Sequence, residues 1–246
     1  MKAKLLISFV IDNSAAVQGE KFEKIKAALM NYEKAMKESD VDNIEIEIVT
    51  FNDFDPIVIN KFGDMNIDYD NLNVFRMPFL GKAIDLVLQD LLKRVEFYNT
   101  LEVPLYKPWL FVLTDAYSFD DLEEIAKKIK QNVAENKLLY MPFMLSKKKI
   151  PTNIEALLST KKFMRIKENT YDLFFNWFFN MTTKRANTEL GESVKFDRSG
   201  FEGWAVIWYL LNGDIHNQLE LAWIILIAIC HAKIMLTIYV KMVSMY

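Results

Sequence analysis

From Leu5 to Ile11 every residue except Ser8 is apolar, and the run stops on Asp12-Asn13-Ser14. Seven residues so rich in β-branched and aromatic side chains are too short for a helix. Their continuous apolarity predicts a strand buried on both faces of a parallel sheet. The oxygen-bearing residues that end it stand where open α/β sheets bind their ligands. From Gly19-Glu20 to Glu38 the pattern changes to Phe22, Ile25, Leu29, Tyr32 and Met36 with Lys and Glu between them, the period of an amphipathic helix. Ile44 to Val49 alternates apolar with acidic residues, which predicts a strand with one face wet or near a sheet edge, Glu45 and Glu47 pointing to water. After the turn residues Phe51 to Asp55, Pro56 to Phe62 predicts a second strand, antiparallel to the first because the connection is so short.

The same two periods continue downstream. An Asp- and Asn-rich loop from Gly63 to Val74 leads to a helix over Gly81 to Tyr98, with Ile84, Leu88, Leu91, Leu92 and Val95 as its stripe. Trp109 to Thr114 is another buried strand, apolar as far as Leu113, and it ends on Asp115. Ser118, followed three residues later by Asp121, predicts the start of the next helix, whose stripe is Leu122, Ile125, Ile129 and Val133. Leu138 to Leu145 reads as a strand interrupted by Pro142, Asn153 to Leu158 as a short helix, Phe163 to Ile166 as a short strand, and Tyr171 to Thr183 as an aromatic-rich helix. Strands alternating with helices imply right-handed crossovers and helices on both sheet faces. The predicted architecture is a three-layer α/β/α sandwich, mostly parallel with one antiparallel edge strand. Residues 1–185 form the domain, 186–203 a linker and 204–246 a hydrophobic, helical C-terminal tail.

Composition narrows the function. The net charge is -3, and nucleic-acid binding ordinarily needs a basic excess. A single cysteine, Cys230, excludes an internal disulfide or a multi-cysteine metal site, and the two histidines, His216 and His231, both fall near the end. The apolar run behind Met1-Lys2-Ala3-Lys4 ends on Asp12 without a small-residue cleavage site, so it reads as a strand rather than a secretion signal, and a cytoplasmic setting is expected.

Five stretches in order carry a family resemblance: Phe9-Val10-Ile11-Asp12-Asn13-Ser14, Gly19-Glu20-Lys21, Ile48-Val49-Thr50-Phe51-Asn52, Leu80-Gly81-Lys82-Ala83-Ile84 and Leu113-Thr114-Asp115-Ala116. With them the chain, from about Lys4 to Lys184, resembles von Willebrand factor type A (VWA) domains, especially the TerY-like bacterial group. That resemblance implies an α/β sandwich used for protein binding, in a tellurite-resistance or stress-response setting beside kinase- or phosphatase-type partners. It also implies a metal-ion-dependent adhesion site at the sheet's carboxyl edge, where an Asp-x-Ser-x-Ser loop, a threonine and an aspartate surround Mg²⁺ or Mn²⁺. Hard oxygen ligands in near-octahedral geometry suit such ions. Asp12, Ser14 and Asp115 match that set. Ala16 stands where the second serine belongs and Pro78 where the threonine does, and neither side chain can coordinate a metal. The expectation is therefore an incomplete metal site, with no cofactor or weakly held Mg²⁺ or Mn²⁺, unless oxygens of Asn13, Ser118 or Asp120 compensate.

Around the same edge lie Ala15, Ala16, Val17, Met77, Pro78, Phe79, Tyr117 and Phe119. Exposed apolar clusters of this kind mark interaction sites. Two readings stay open: an apolar surface that docks a protein partner without metal, and side chains that fold inward and pack. No glycine-rich phosphate loop, serine elbow, zinc spacing or nucleotide fingerprint is present. A metal-dependent hydrolase would have to rest on Asp12 and Asp115 alone, so a non-enzymatic protein is expected. Lys147-Lys148-Lys149 reads as a solvated loop.

The tail poses a separate question. Trp204 to Leu211 is compatible with a helix, Asn212-Gly213-Asp214 breaks it, and Leu221 to Val240 is apolar except for His231, Lys233 and Thr237. About 20 apolar residues cross a bilayer. Three readings remain for this end: membrane contact through residues 219–240, a buried helix or oligomer contact, and a shifted reading frame.

Overall fold

A computed structural model describes residues 2–51, 55–73, 77–115, 117–145, 152–157, 162–192, 194, 200–211 and 214–217. In chain order the elements are β1 (Leu5–Ile11), α1 (Glu20–Glu38), β2 (Ile44–Phe51), β3 (Pro56–Asn60), α2 (Leu80–Thr100), β4 (Trp109–Thr114), α3 (Glu123–Ala134), β5 (Leu139–Met144), α4 (Thr152–Glu155), β6 (Lys162–Ile166), α5 (Tyr171–Ala186), α6 (Phe201–Trp204), β7 (Ala205–Leu211) and β8 (Asp214–Asn217). A 3₁₀ turn, Ala15–Val17, follows β1. All eight strands join one sheet in the order β3-β2-β1-β4-β5-β6-β7-β8.

Apolar runs account for the centre. β1 lies between β2 and β4, parallel to both, and is buried along its whole length. Its alternate residues Leu5, Ile7, Phe9 and Ile11 pack with Phe111, Phe175 and Phe178 under α1 and α5. Leu6 and Val10 face the other way, with Leu110 and Val112, under α2 and α3. The first face is unusually aromatic: Phe9 meets Phe178 edge-on at 4.7 Å between ring centroids, and Phe178 meets Phe111 edge-on at 4.9 Å. Such pairs contribute about 0.5–1.5 kcal/mol beyond the area they bury. In α1 all five stripe residues are buried. In α2 Leu92 is exposed instead, and in α3 so is Val133.

Three expectations need correction. β2 is not an edge strand, because the β3 hairpin covers its outer side and α2 lies over the face carrying the acids. Glu45 and Glu47 are consequently buried. Arg94 Nε donates to Glu45 Oε2 at 2.7 Å, and Tyr98 Oη donates to Glu45 Oε1. Ser8 Oγ, the one polar group of β1, donates to Glu47 Oε2 at 3.1 Å. Alternation alone cannot separate a wet face from a face whose polar groups have been given partners.

The second correction concerns the end of the described chain. Ala205–Leu211 is a strand, not a helix, antiparallel to β6, and β8 pairs antiparallel to it in turn. An eight-residue apolar run has no decisive period, and β-branched and aromatic residues beside an open strand edge favour pairing. The sheet thus has antiparallel pairings at both edges, and it continues past residue 185. The third is local: Trp204, the first residue of the predicted tail, is a packed anchor. Trp204 is buried, 5.1 Å from Trp177 and 5.3 Å from Phe174 between ring centroids, and its carbonyl accepts the Lys167 N–H at 2.7 Å. The interruption at Pro142 is accommodated inside β5, since β6 pairs with β5 only from Phe143 onward and a proline has no N–H to give. The apolar span 219–240 and the lysine run 147–149 lie outside the described residues. Among the described residues no helix is long and apolar enough to cross a membrane.

Burial pushes the Glu47 carboxyl up to about 8 from its ordinary 4.5, with nearby Asp90 adding to the rise and Ser8 and Lys93 opposing it. The unfolded chain releases this proton near 4.5 and the folded chain near 8. Stability from this group is therefore complete below pH 4.5 and falls as pH rises through that window. Glu47→Gln is expected to flatten this fall. In thermal melts the variant should match wild type below pH 4.5 and melt several degrees higher above pH 8, at about 2–4 °C per kcal/mol.

Candidate functional site at the carboxyl edge

Where β1 and β4 end side by side, Asp12 is pulled into the protein. It is 1% exposed, and its own N–H extends the ladder by donating to the Leu113 carbonyl at 2.8 Å. The carboxylate is solvated by the chain itself. Oδ1 accepts the Ser14 N–H at 2.8 Å, and Oδ2 accepts the Asp115 N–H at 2.8 Å and the Thr114 hydroxyl at 3.1 Å. A polar group taken out of water is costly unless hydrogen bonds replace those it loses. Asn13 performs the matching task toward β2: its Oδ1 accepts the Phe51 N–H at 3.2 Å, and its Nδ2 donates to the Asn73 carbonyl at 2.6 Å. These two side chains fasten the tips of β1, β2 and β4 together.

The structure brings the three predicted metal-site residues to one spot. Asp115 is 4% and Ser14 is 2% exposed. Ser14 Oγ is buried without a hydrogen-bond partner among the described residues. The Lys21 ammonium, reaching back from the first turn of α1, lies 3.8 Å from Asp115 Oδ1. Tyr171, at the start of α5, has its hydroxyl pushed up to about 12, by burial first and then by the charges of Glu168 and Asp115.

The substitute oxygens are committed elsewhere. Ser118 does not cap its own helix, as Ser118 and Asp121 had suggested. Instead its Oγ accepts the Leu80 N–H at 3.0 Å and donates to Asp120 Oδ1, while Asp120 Oδ2 accepts the Lys82 N–H at 2.9 Å. The β4–α3 loop thereby caps α2 from outside, and α3 starts later, where Asp121 accepts the Glu123 N–H at 2.9 Å. Asn13 is held by Phe51 and Asn73. A six-coordinate divalent ion takes hard oxygens at close range. Here Asp12 is turned to backbone donors, Ala16 and Pro78 carry no side-chain oxygen, and an ammonium stands beside Asp115.

The apolar rim divides in two. Val17 is fully buried and Pro78 is buried as well, so both are corrected from surface residues to core; Val17 belongs to the cluster that includes Phe22 and Ile25 of α1. Tyr117 and Phe119 are about half exposed, Met77 is exposed at 38%, and Ala15 is exposed. Phe119 meets Tyr117 edge-on at 5.0 Å and Phe79 at 6.2 Å between ring centroids, and Lys82 lies 5.2 Å over the Phe79 ring. The Phe119 N–H donates to the Pro78 carbonyl at 2.9 Å, locking the two loops together. Phe79, Tyr117 and Phe119 thus form one aromatic patch that is held from below and open from above.

A mostly parallel sheet with helices on both faces, and polar strand ends flanked by loops at its carboxyl edge, defines an open α/β fold. The chain belongs to the von Willebrand factor type A domain family, whose model matches residues 7–136, from β1 through α3. VWA domains are protein-interaction modules. Over 130 residues, half of this chain, it is 28% identical to human collagen alpha-5(VI) chain, of whose length it spans 5%. Among solved structures it is similar to proximal thread matrix protein 1 from the mussel byssus, at 12% identity and a TM-score of 0.49, with 72% of this chain and 46% of that one covered. It is also similar to the VWA domain of SpRpn10, at 13% identity and a TM-score of 0.46, with 63% and 80% covered.

Lys21 and Thr114 had not been read as site residues. A cation in the first turn of a helix opposes the helix dipole, and that misplacement was the available signal for Lys21. Nothing in the pattern marked Thr114.

Two substitutions check this geometry. Asp12→Ala leaves the buried Ser14 and Asp115 N–H groups without acceptors, at about 1–3 kcal/mol each, so urea unfolding should show a loss of at least that size. At Gly81 an added Cβ would lie 2.8 Å from Asp120 Oδ2 and 3.0 Å from Leu122. Gly81→Ala should therefore displace the Asp120 cap and lower stability by about 1 kcal/mol, the worth of a lost cap, although alanine is the better helix former.

Proposed function

We propose that this chain is a non-enzymatic protein-binding module that docks its partner through the aromatic patch of Phe79, Tyr117 and Phe119, with Met77 and Ala15 beside it, and without a divalent metal. The observation that carries the reading is the combination of the half-exposed Tyr117 and Phe119 rings, with the partly exposed Phe79 beside them, and loops pinned by the Phe119–Pro78 hydrogen bond. A pre-ordered aromatic surface loses little conformational freedom on binding, and Tyr, Phe and Met are the residues that interfaces enrich. The partner it suits is a protein presenting apolar side chains to these rings, with Lys82 at the border to meet an acidic neighbour. The donor set around Asp12, Ser14 and Asp115 supports docking without metal. The resemblance to the TerY-like group supports a bacterial tellurite- or stress-response setting in the cytoplasm, with kinase- or phosphatase-type proteins as partners.

Phe79→Asp and Phe119→Asp are expected to keep the wild-type circular-dichroism spectrum and to weaken a purified partner's binding at least tenfold, about 1.4 kcal/mol. Leu92→Asp, at an exposed leucine on α2, should bind as wild type does. Unchanged binding by both aromatic variants, measured by calorimetry, overturns the assignment of this patch.

A further inference from the structure

We propose that the Lys21 ammonium is the built-in cation of the carboxyl edge, taking over the electrostatic task that a divalent ion performs where the oxygen set is complete. The inference rests on reading the edge as metal-free and adds the residue that makes it so. Asp12 and Asp115 are both almost fully buried and adjacent, the Asp115 N–H bonding to Asp12 Oδ2. Two like charges taken out of water together are unfavourable unless each is compensated. Asp12 is compensated by two backbone N–H groups and a hydroxyl. For Asp115 the charge of opposite sign is Lys21, 3.8 Å away with its side chain three-quarters covered.

The position of that lysine is informative. The first turn of α1 carries Glu20 and Glu23, as the helix dipole favours. Lys21 sits between them against the dipole, which makes sense if the attraction of Asp115 outweighs it. A lysine is also suited in kind, being a compact charge on a flexible stem. The same ammonium repels an incoming divalent cation, so the loss of hydroxyls at positions 16 and 78 and the presence of Lys21 act in one direction.

The test is thermal melting of the full chain in chelator-treated buffer and then with millimolar Mg²⁺ or Mn²⁺. Wild type is expected to melt at the same temperature in all three. Lys21→Met should melt about 2–4 °C lower without metal and recover part of that loss when Mn²⁺ or Mg²⁺ is added, while Lys21→Arg keeps wild-type behaviour. The double variant Lys21→Met with Asp115→Asn, which removes both charges, should regain stability without metal and lose the metal response. Lys24→Met on the same helix, whose partner Glu20 is exposed, should show neither effect. Metal stabilisation of wild type overturns the metal-free reading and the inference with it. A wild type indifferent to metal together with a Lys21→Met that neither loses stability nor gains a metal response overturns the Lys21 assignment alone.

Discussion

A carboxylate buried at the tip of the central strand is the constraint around which this edge is built. Burial takes water away from the Asp12 carboxyl group, and the protein replaces it with the Ser14 and Asp115 N–H groups and the Thr114 hydroxyl. Satisfying it fixes the loop after β1, binds the tip of β4 and sets where Asp115 must lie. Asn13 extends the same fastening to β2 and the loop at Asn73. The tips of three neighbouring strands are thereby fastened to one another.

The capping of α2 belongs to the same economy of partners. Ser118 and Asp120 leave their own helix and satisfy the first N–H groups of α2, and the absence of a side chain at Gly81 makes room for Asp120 and Leu122. Because the β4–α3 loop is held by that cap on one side and by the Phe119–Pro78 bond on the other, its aromatic residues are presented outward in a fixed arrangement. Polar fastening beneath and aromatic exposure above are two consequences of one loop conformation. It also accounts for Pro78 being core while Tyr117 and Phe119 are surface and Phe79 lies between the two.

Charge underlies the second layer of the fold as well. Beneath α2 the pairs Glu45–Arg94 and Glu47–Ser8 replace what the sequence pattern presents as a wet strand face. Burial alone would make two acids there untenable. Glu45 keeps a guanidinium and a phenol, whereas Glu47, with only a hydroxyl and the opposing influences of Asp90 and Lys93, is the one driven toward its neutral form.

Much of this molecule follows from local pattern. The doubly buried strands β1 and β4, the amphipathic helix α1 and the antiparallel hairpin of β2 and β3 all derive from periodicity and residue type within short windows, where physical preference and sequence coincide, while the family is legible through the resemblance that five ordered motifs carry. What only the tertiary structure decided depends on groups far apart in the chain. Glu45 and Glu47 turned inward because α2 brought Arg94 over them and β1 brought Ser8 beneath. Ala205–Leu211 became a strand because β6 offered an unpaired edge. Ser118 capped a helix that precedes it, and Lys21 found Asp115. In each case one chain segment carries a polar group or an apolar run whose state is set by a partner dozens of residues away, and periodicity, which sees only neighbours, has no access to that partner.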